Sequence, residues 1–249
     1  MLAVLVGCSG DGSPDYPVGG GGFDGGTTSD GTAVDSHAND ALANDAGVDA
    51  QPATVDAALI MGRVCLANDP RKLNTCADTG AGGLTVRLGS NVTTTGVDGR
   101  FTIAAGSGTW RVTGANIVTS VMTLADYEIP AIPRATFDSM ITTNLGGLTP
   151  NPGEGSVMIQ VIRNGAGLAA ATASSTPPSA WQPFYDNPAS ATDWNQGAAG
   201  TGADGTIWLV GLDVGTASVT VGHPNDMPRT DSGVPIVDGA ITFTTIIFP

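Results

Sequence analysis

Side chains that could carry out catalysis are scarce in this sequence. Glutamate occurs only at Glu128 and Glu154, and histidine only at His37 and His223. A zinc peptidase needs His and Glu ligands together, and a serine hydrolase needs a Gly-x-Ser-x-Gly elbow with a histidine nearby. Aspartates could support hydrolysis by two carboxylates, but their spacing singles out no pair. We therefore expect a protein that is not an enzyme, with no cofactor and no bound metal.

The most concentrated group of side chains suited to binding is aromatic. Four of these residues lie within fourteen positions of a segment interrupted by prolines: Trp181, Phe184, Tyr185 and Trp194. Such rings on a loop could stack on sugar faces, with Asp186, Asn187 and Asp193 bonding to hydroxyls. Alternatively, a long loop needs a small core of its own, and the same rings would supply it. We favour the core, and the candidate ligand-binding residues are Trp181, Tyr185 and Trp194.

A processing motif lies close to the first residue. Leu5-Val6-Gly7-Cys8 resembles the lipobox of bacterial lipoproteins, in which a peptidase cuts before the cysteine and that cysteine becomes the acylated first residue. The resemblance implies lipidation at Cys8. Only seven uncharged residues precede Cys8, whereas a signal peptide has a basic region and a longer apolar stretch. Either the coding sequence begins upstream of Met1, which we expect, or the motif is accidental.

The lipoprotein resemblance also bears on localisation. In lipoproteins of bacteria with two membranes, an aspartate after the cysteine often retains the protein at the inner membrane. Ser9 occupies that position here, which favours the outer membrane.

Two further cysteines, Cys65 and Cys76, remain once Cys8 is assigned to the anchor. In an oxidising compartment such a pair forms a disulfide. It would close an irregular loop, residues 66–75, and stabilise the fold by about 3 kcal/mol. A zinc site is the alternative, but it would need further soft ligands, and the two histidines are poorly placed for it. We predict the disulfide.

The negative charge is concentrated before the predicted strands. Residues 1–57 contain nine aspartates and no Lys or Arg, so they carry −9 of the net charge of −14. Residues 9–57 are also rich in Gly and almost free of bulky apolar side chains, which predicts a disordered tether. The acidic balance excludes nucleic-acid binding through phosphate contacts. No apolar run of 18 residues occurs that could span a membrane.

From Ala58 onward, short runs of Val, Ile, Thr and Leu are separated by turn residues, which is typical of a β-sandwich or barrel. The first unit has predicted strands at 59–66, 84–88, 91–95, 100–104, 109–114 and 117–124. The second unit has them at 156–162, 168–173, 206–210, 216–221 and 240–247. Between the units, Phe137, Met140, Ile141 and Leu145 fall at helical spacing before Gly146-Gly147. This pattern predicts one short helix near 135–145, packed on a sandwich.

The two units repeat one pattern. Gly96-Val97-Asp98-Gly99 aligns with Gly202-Ala203-Asp204-Gly205, and each Asp-Gly would form the positive-φ turn of a hairpin. Alternate residues of the following strands then face a core. The inward residues are predicted to be Phe101, Ile103, Trp110 and Val112 in the first unit, and Ile207, Leu209, Ala217 and Val219 in the second. The same register points Trp208 away from its own core, towards a ligand or a domain interface.

The order of these motifs resembles the carboxypeptidase regulatory-like (transthyretin-like) domain. The matching segments are the strand 83–88, the two Asp-Gly turns, Gly108-Thr109-Trp110 and the turn 164–171. The resemblance covers about three quarters of the chain and implies seven-stranded Greek-key sandwiches of a non-catalytic accessory type. Related collagen-adhesin B-type sandwiches often carry a Lys–Asn isopeptide bond. Lys72 is the only lysine, so this crosslink is impossible in the second unit and not expected in the first.

We therefore expect an all-β chain with two tandem Ig-like, transthyretin-like sandwiches. Its segments are the lipobox region 1–8, the tether 9–57, the first sandwich 58–126, a connector with the helix 127–153, and the second sandwich 154–249. The expected function is that of a non-enzymatic cell-envelope lipoprotein with a structural, adhesive or scaffolding role. The expected partners are the membrane, through Cys8, and a polysaccharide or an envelope protein. The alternative is a carbohydrate- or small-ligand-binding module that uses the aromatic 181–194 loop.

Overall fold

The computed structural model describes residues 58–73, 76–77, 80–123, 128–187, 189–197 and 199–249. Cys8, the tether 9–57 and the predicted boundary at 126–127 lie outside the described residues. Thr54–Pro249 forms one compact unit. The described part of this unit is all-β apart from a single helix. No helix in the described ranges has the length and apolarity that a membrane crossing requires.

The first half of this unit is a β-sandwich. Its strands are β1 (Leu59–Leu66), β2 (Thr85–Leu88), β3 (Asn91–Thr94), β4 (Arg100–Ala104), β5 (Trp110–Thr113), β6 (Thr119–Met122) and β7 (Glu128–Ala131). One sheet has the order β4-β1-β7, and it faces the strands β3-β2-β5-β6. The six predicted strands are confirmed to within a few residues. The additional strand β7 contains Pro130, which is tolerated because β7 lies at the edge of its sheet.

The second half is also a β-sandwich. Its strands are β8 (Glu154–Arg163), β9 (Ala166–Gly167), β10 (Thr172–Thr176), β11 (Phe184–Asn187), β12 (Ser190–Gln196), β13 (Thr206–Asp213), β14 (Gly215–His223), β15 (Asp226–Ile236) and β16 (Ala240–Phe248). The sheet β10-β14-β15 faces the strands β12-β11-β13-β8-β16.

Three segments of the second sandwich differ from the prediction. The strand predicted at 168–173 begins at Thr172, because Ala170 adopts a positive φ of 61° and the preceding residues form a turn. The segment predicted as an aromatic loop forms the hairpin β11–β12. The long strand β15 is missing from the prediction because its prolines, Pro228 and Pro235, and its exposed polar residues resemble a loop.

One sheet runs through both sandwiches. Strand β16 pairs in parallel with β8 of the second sandwich and with β6 of the first. The result is a ten-stranded sheet with the order β12-β11-β13-β8-β16-β6-β5-β2-β3, in which β9 adds to β8. The two sandwiches are therefore fused, and their prediction as separate tandem domains is not confirmed.

The internal repeat is confirmed in its strand order and its core. β1 pairs antiparallel with β4 and parallel with β7, and β8 pairs in the same way with β13 and β16. All eight side chains predicted to point inward are buried, four in the core of each sandwich. Gly99 and Gly205 have the predicted positive φ, 79° and 69°. Their turns lead into strands that pair with β1 and β8, however, so they do not close hairpins.

A buried threonine before each Asp-Gly turn makes the same four hydrogen bonds in both sandwiches. The hydroxyl of Thr95 donates to the Ala81 carbonyl (2.5 Å) and accepts from the Leu84 N–H (2.9 Å). The hydroxyl of Thr201 donates to the Leu168 carbonyl (2.6 Å) and accepts from the N–H of Ala171, three residues later (2.9 Å). The backbone of each threonine adds two more bonds to the same loop. We call this arrangement the threonine clamp.

Helix α1 (Arg134–Leu145) follows β7 and confirms the predicted helix. It ends at Gly146, whose φ of 61° is the left-handed conformation that a C-cap glycine commonly adopts. Its apolar face is buried through Met140, Ile141 and Leu145. These side chains pack on the outer face of the ten-stranded sheet, and not on either sandwich core.

Candidate functional site

The aromatic residues singled out by the sequence divide between two apolar clusters on opposite faces of one sheet. Because neighbouring residues of a strand point to opposite faces, β11 sends Phe184 and Tyr185 in different directions. Tyr185 enters the core of the second sandwich, and Phe184 enters a separate cluster on the other face of the sheet. We call this cluster the third core. It also contains Trp194 and Trp208.

Trp208 is the centre of the third core and is fully buried. Its ring centroid lies 5.2 Å from that of Phe184, 6.0 Å from that of Phe137 on α1, and 6.1 Å from that of Trp194 on β12. The last two contacts are edge-on, a favourable arrangement for aromatic rings. The prediction that Trp208 points away from its own sandwich core is confirmed. Trp208 therefore serves an interface within the chain.

Helix α1 is bound to the β11–β12 hairpin by a polar contact as well. The side-chain oxygen of Asn144 accepts from the backbone N–H of Trp194, and the side-chain NH₂ of Asn144 donates to the backbone carbonyl of Thr192. Both distances are 2.7 Å. Asn144 thus satisfies one donor and one acceptor at the outer edge of β12, as a neighbouring strand would do. The sequence does not predict this role for Asn144, because its partners on β12 are about fifty residues away in the chain.

The burial of the aromatic rings favours the core interpretation of this segment. Tyr185 and Trp194 are each 4% exposed, so their faces are not open to a sugar. Trp181 is half-buried and covers Gly211, where any Cβ would collide with the indole ring. Of the proposed polar partners, Asp186 is buried, while Asp193 is exposed. The proposed ligand-binding residues therefore do not form an open platform, and their hydrogen-bonding partners are not gathered around one.

The predicted disulfide is confirmed and closes a loop that binds the second sandwich. Cys65 and Cys76 are bonded, with their Cα atoms 4.4 Å apart. Within this disulfide loop, residues 66–75, Arg71 makes a two-point ion pair with Asp69, at 2.7 and 2.8 Å. Arg71 also donates to the carbonyl of Asn187 on β11. Thr206 at the start of β13 donates its hydroxyl to the Arg71 carbonyl, at 2.5 Å.

Asp186 holds the Asp-Gly turn of the second sandwich. Its carboxylate accepts from three backbone N–H groups, those of Gly202 (2.8 Å), Asp204 (3.1 Å) and Thr206 (3.2 Å). In the first sandwich, the matching Gly96 N–H instead donates to the backbone carbonyl of Arg100, at 2.8 Å. A buried carboxylate thus accepts from Gly202 the hydrogen bond that a backbone carbonyl accepts from Gly96 in the first turn.

The two carboxylates at this interface are perturbed in opposite directions. Hydrogen bonds from the Arg71 guanidinium hold the pKa of Asp69 below the ordinary 3.8, and the same pairing raises the pKa of Arg71. Burial raises the pKa of Asp186, against the three N–H bonds that favour its charged form. The Asp69–Arg71 pair therefore stays charged at neutral pH while it faces the second sandwich.

One group of metal-ligating type forms near the disulfide. The carboxylate of Glu128 lies within 4.8 Å of both Cys65 and Cys76 sulfurs. Sulfurs that are bonded to each other are not thiolates, and zinc is held by thiolates. With the two sulfurs bonded to each other, Glu128 is the remaining ligand that this group offers.

The functional contacts that the sequence prediction missed are mainly polar. Asp69, Arg71, Asn144 and Asp186 have no distinguishing spacing, because each bonds to a residue that is distant in the chain or to backbone atoms. The threonine clamp does leave a signal, since Thr-Gly-x-Asp-Gly occurs at Thr95–Gly99 and again at Thr201–Gly205. The repeat identified from the sequence begins at Gly96 and Gly202, the residues that directly follow the two threonines.

Comparisons with known proteins give a similarity to a solved structure. No protein-family model and no curated protein matches this chain. Among solved structures, it is similar to the crystal structure of GBS52, the minor pilin in the gram-positive pathogen Streptococcus agalactiae. The match has 12% identity and a TM-score of 0.25, and it covers 76% of this chain and 94% of the pilin chain.

Proposed function

We propose that this chain is a non-enzymatic structural protein of the bacterial cell envelope, in which two fused β-sandwiches form a rigid module for scaffolding or adhesion. The observation that carries this proposal is the parallel pairing of β16 with β6. Domains that follow one another in a chain usually move relative to each other, unless a large apolar interface prevents it. Here the backbone ladder itself crosses from one sandwich to the other.

Two further contacts reinforce the junction. The third core combines α1 with apolar side chains from both sandwiches, such as Val118 of the first and Val210 of the second. The disulfide loop adds the Arg71 contacts to Asn187 and Thr206. The backbone ladder, the third core and the Arg71 contacts therefore all resist bending between the two sandwiches. Such rigidity is what a scaffold or an adhesive module under load requires.

The proposed rigidity can be tested by distance measurements between spin labels. Thr102 of β4 and Ser232 of β15 are exposed residues in different sandwiches, and each can be replaced by Cys in a Cys8→Ala background. Electron–electron double resonance should give one narrow distance distribution. The same labels in a Trp208→Ala variant should give a broader one, because the third core is lost. A broad distribution without that substitution would contradict a rigid structural role.

The proposed place in the envelope rests on the lipobox resemblance at Cys8 and on Ser9, which favours the outer membrane. A gene with its native upstream region should produce a chain that incorporates labelled palmitate and fractionates with membranes. Cys8→Ala should abolish both, whereas Cys65→Ala should not. Equal labelling of the Cys8→Ala chain would exclude the anchor and leave the rigid-module proposal to its own test.

A further inference from the structure

A cleft opens beside the first half of helix α1. Its volume is about 380 Å³, which lies within the range of small-molecule sites in proteins. Phe137 and Ile141 line it from α1, and the other lining segments are the connector residues 149–152, the start of β8 and the turn 238–240. We call this space the α1 cleft. The aromatic segment 181–194 contributes none of its described residues to the lining.

A buried hydroxyl in the lining of the α1 cleft has no hydrogen-bond partner within the chain. Because Val157 enters the core of the second sandwich, Ser156 points to the other face of the sheet, towards α1. Its neighbours across the strands are apolar, Val210 on β13 and Ile241 on β16. Ser156 is 3% exposed, and its hydroxyl bonds to no other described residue. Since buried polar groups are nearly always bonded, this hydroxyl needs a partner that enters the cleft, either water or a ligand group.

Two side chains of opposite charge flank the cleft. Arg134 and Asp138 are exposed, lie one turn apart on α1, and form no ion pair with a residue of the described ranges. A basic residue four positions before an acidic one is the less favourable order for a pair within a helix. Arg134 is also the first residue of α1, where the helix dipole is positive and no side chain caps the helix. This end of the cleft therefore favours an anionic group, and Asp138 favours a cationic one.

The two other carboxylates of the lining hold the connector in place. Glu154 accepts hydrogen bonds from the backbone N–H and the side-chain amide of Asn151, both at 2.8 Å. Asp238 accepts from the backbone N–H of Gly153, also at 2.8 Å. These bonds fix the connector to the start of β8 and to the turn before β16. The α1 cleft is therefore formed before any ligand arrives, as small-molecule sites usually are.

We propose that the α1 cleft binds a small zwitterion that has an aromatic body and a hydroxyl at its far end, the chemical class of free tyrosine. The carboxylate of this ligand pairs with Arg134 and its ammonium group with Asp138. Its ring packs on Phe137 and Ile141, and its hydroxyl bonds to Ser156. Such a ligand uses the two free charges and the unpartnered hydroxyl together. This inference goes beyond the rigid module, which requires no ligand.

The proposal is tested by NMR titration of the full chain, with the amide signals of Ser156 and Ile141 as reporters. L-Tyrosine, added up to its solubility limit, should shift both signals with a dissociation constant of about 1 mM or lower. L-Phenylalanine lacks the hydroxyl and should bind about fivefold more weakly. Tyramine lacks the carboxylate, hydroxyphenylpropionate lacks the ammonium group, and each should bind at least about tenfold more weakly.

Three variants assign these losses to individual residues. Ser156→Ala should bind tyrosine and phenylalanine equally, and it should keep the melting temperature because no group loses a partner. Arg134→Gln should bind tyrosine and tyramine equally. Asp138→Asn should bind tyrosine and hydroxyphenylpropionate equally. The control is Arg111→Gln on β5, an exposed arginine of the first sandwich, which should change none of these affinities.

Three results would overturn the proposal. The first is the absence of saturable shifts at Ser156 and Ile141 with tyrosine. The second is equal binding of all four compounds, which would mean that the cleft takes any apolar body. The third is a preference for tyrosine over phenylalanine that survives in Ser156→Ala. Each result leaves the rigid-module proposal to its own test, because the spin labels at Thr102 and Ser232 report on the junction and not on the cleft.

Discussion

The two sandwiches have the same strand pairing up to β2 in the first and β10 in the second. They differ in where the next strand pairs. In the first sandwich this strand, β3, returns beside β2 in the same sheet. In the second, the chain leaves β10 and forms the β11–β12 hairpin beside β13, in the opposite sheet. One segment has thus changed sheets. As a result, β4 is an edge strand in the first sandwich and β10 is an edge strand in the second.

This difference decides what the outward-facing residues can do. Thr102 and Trp208 occupy the same position of the repeat, between two inward residues. Thr102 is exposed, whereas Trp208 is fully buried because β11, β12 and α1 extend and cover the face on which it lies. The repeat therefore fixes both sandwich cores, and the displaced hairpin creates the third core that joins them.

The largest expected effect separates these two outward positions. Trp208→Ala should lower the free energy of unfolding by about 3–5 kcal/mol, because it empties the centre of an aromatic cluster. Thr102→Ala should change it by less than about 0.5 kcal/mol, as is usual at the surface. Urea denaturation of both variants measures the difference. Similar small losses would mean that the third core contributes little to the fold.

The disulfide Cys65–Cys76 lies in the first sandwich and has no counterpart in the second. Its removal should cause the second-largest loss in the free energy of unfolding. Replacing both Cys65 and Cys76 by Ala should cost about 3 kcal/mol, the loop-closure value for a short loop. The released loop should also lose the Arg71 contact to the Asn187 carbonyl on β11. Thermal unfolding with and without a reductant gives an independent measure. No change on reduction would show that the Arg71 contacts alone hold the loop.

The threonine clamp should contribute the same amount to the free energy of unfolding in both sandwiches, because it makes the same hydrogen bonds in each. Thr95→Val and Thr201→Val each keep the side-chain volume but leave a buried N–H and a carbonyl without the hydroxyl partner. Each should therefore destabilise the protein by about 1–3 kcal/mol. Chemical denaturation should give equal losses for the two variants. Unequal losses would show that the turns are held differently, with Asp186 compensating in the second sandwich.

The Asp69–Arg71 pair predicts a dependence on pH. Because the pKa of Asp69 is lower in the folded state, its carboxylate stabilises the fold above the ordinary aspartate value of 3.8, and this contribution is lost as pH falls through the lower folded-state pKa. Asp69→Asn should cost about 1 kcal/mol at neutral pH. The difference should shrink as the pH falls below 3.8 and through the lower folded-state pKa. A difference that stays constant as the pH falls would assign the loss to packing and not to charge.

The smallest expected effect concerns one position of the repeat, which is glycine in the first sandwich and alanine in the second. Gly83 and Ala170 make the same backbone hydrogen bond to the clamp threonine and share a positive φ, 74° and 61°. Since this conformation strains an alanine, Ala170→Gly should stabilise by about 0.5 kcal/mol and Gly83→Ala should destabilise by about 1 kcal/mol. A Cβ on Gly83 would meet no neighbour within 4 Å, so strain alone is tested. Opposite shifts in the melting temperature are expected.

Sequence patterns were sufficient for the parts of the fold that repeat locally. Strands with alternating apolar residues, such as β4 and β13, and the helix before Gly146 follow from their own residues. The edge strand β15 and the hairpin β11–β12 do not, because partners distant in the chain determine them. The same holds for the junction. Nothing in the sequence of β6 or β16 specifies that these strands pair, and Asn144 or Arg71 acquires its role only from that pairing.

The position of β16 in the ten-stranded sheet has a consequence for the order in which the protein can fold during synthesis. All seven strands of the first sandwich precede residue 132, so that sandwich can assemble early. Strand β6, however, must wait for a partner that follows more than one hundred residues later. At about 5–20 residues per second, the apolar edge stays open for about 6–24 s. During that interval the unpaired edge of β6 is open to pairing with another strand, which makes this stage of synthesis the one most exposed to misassembly.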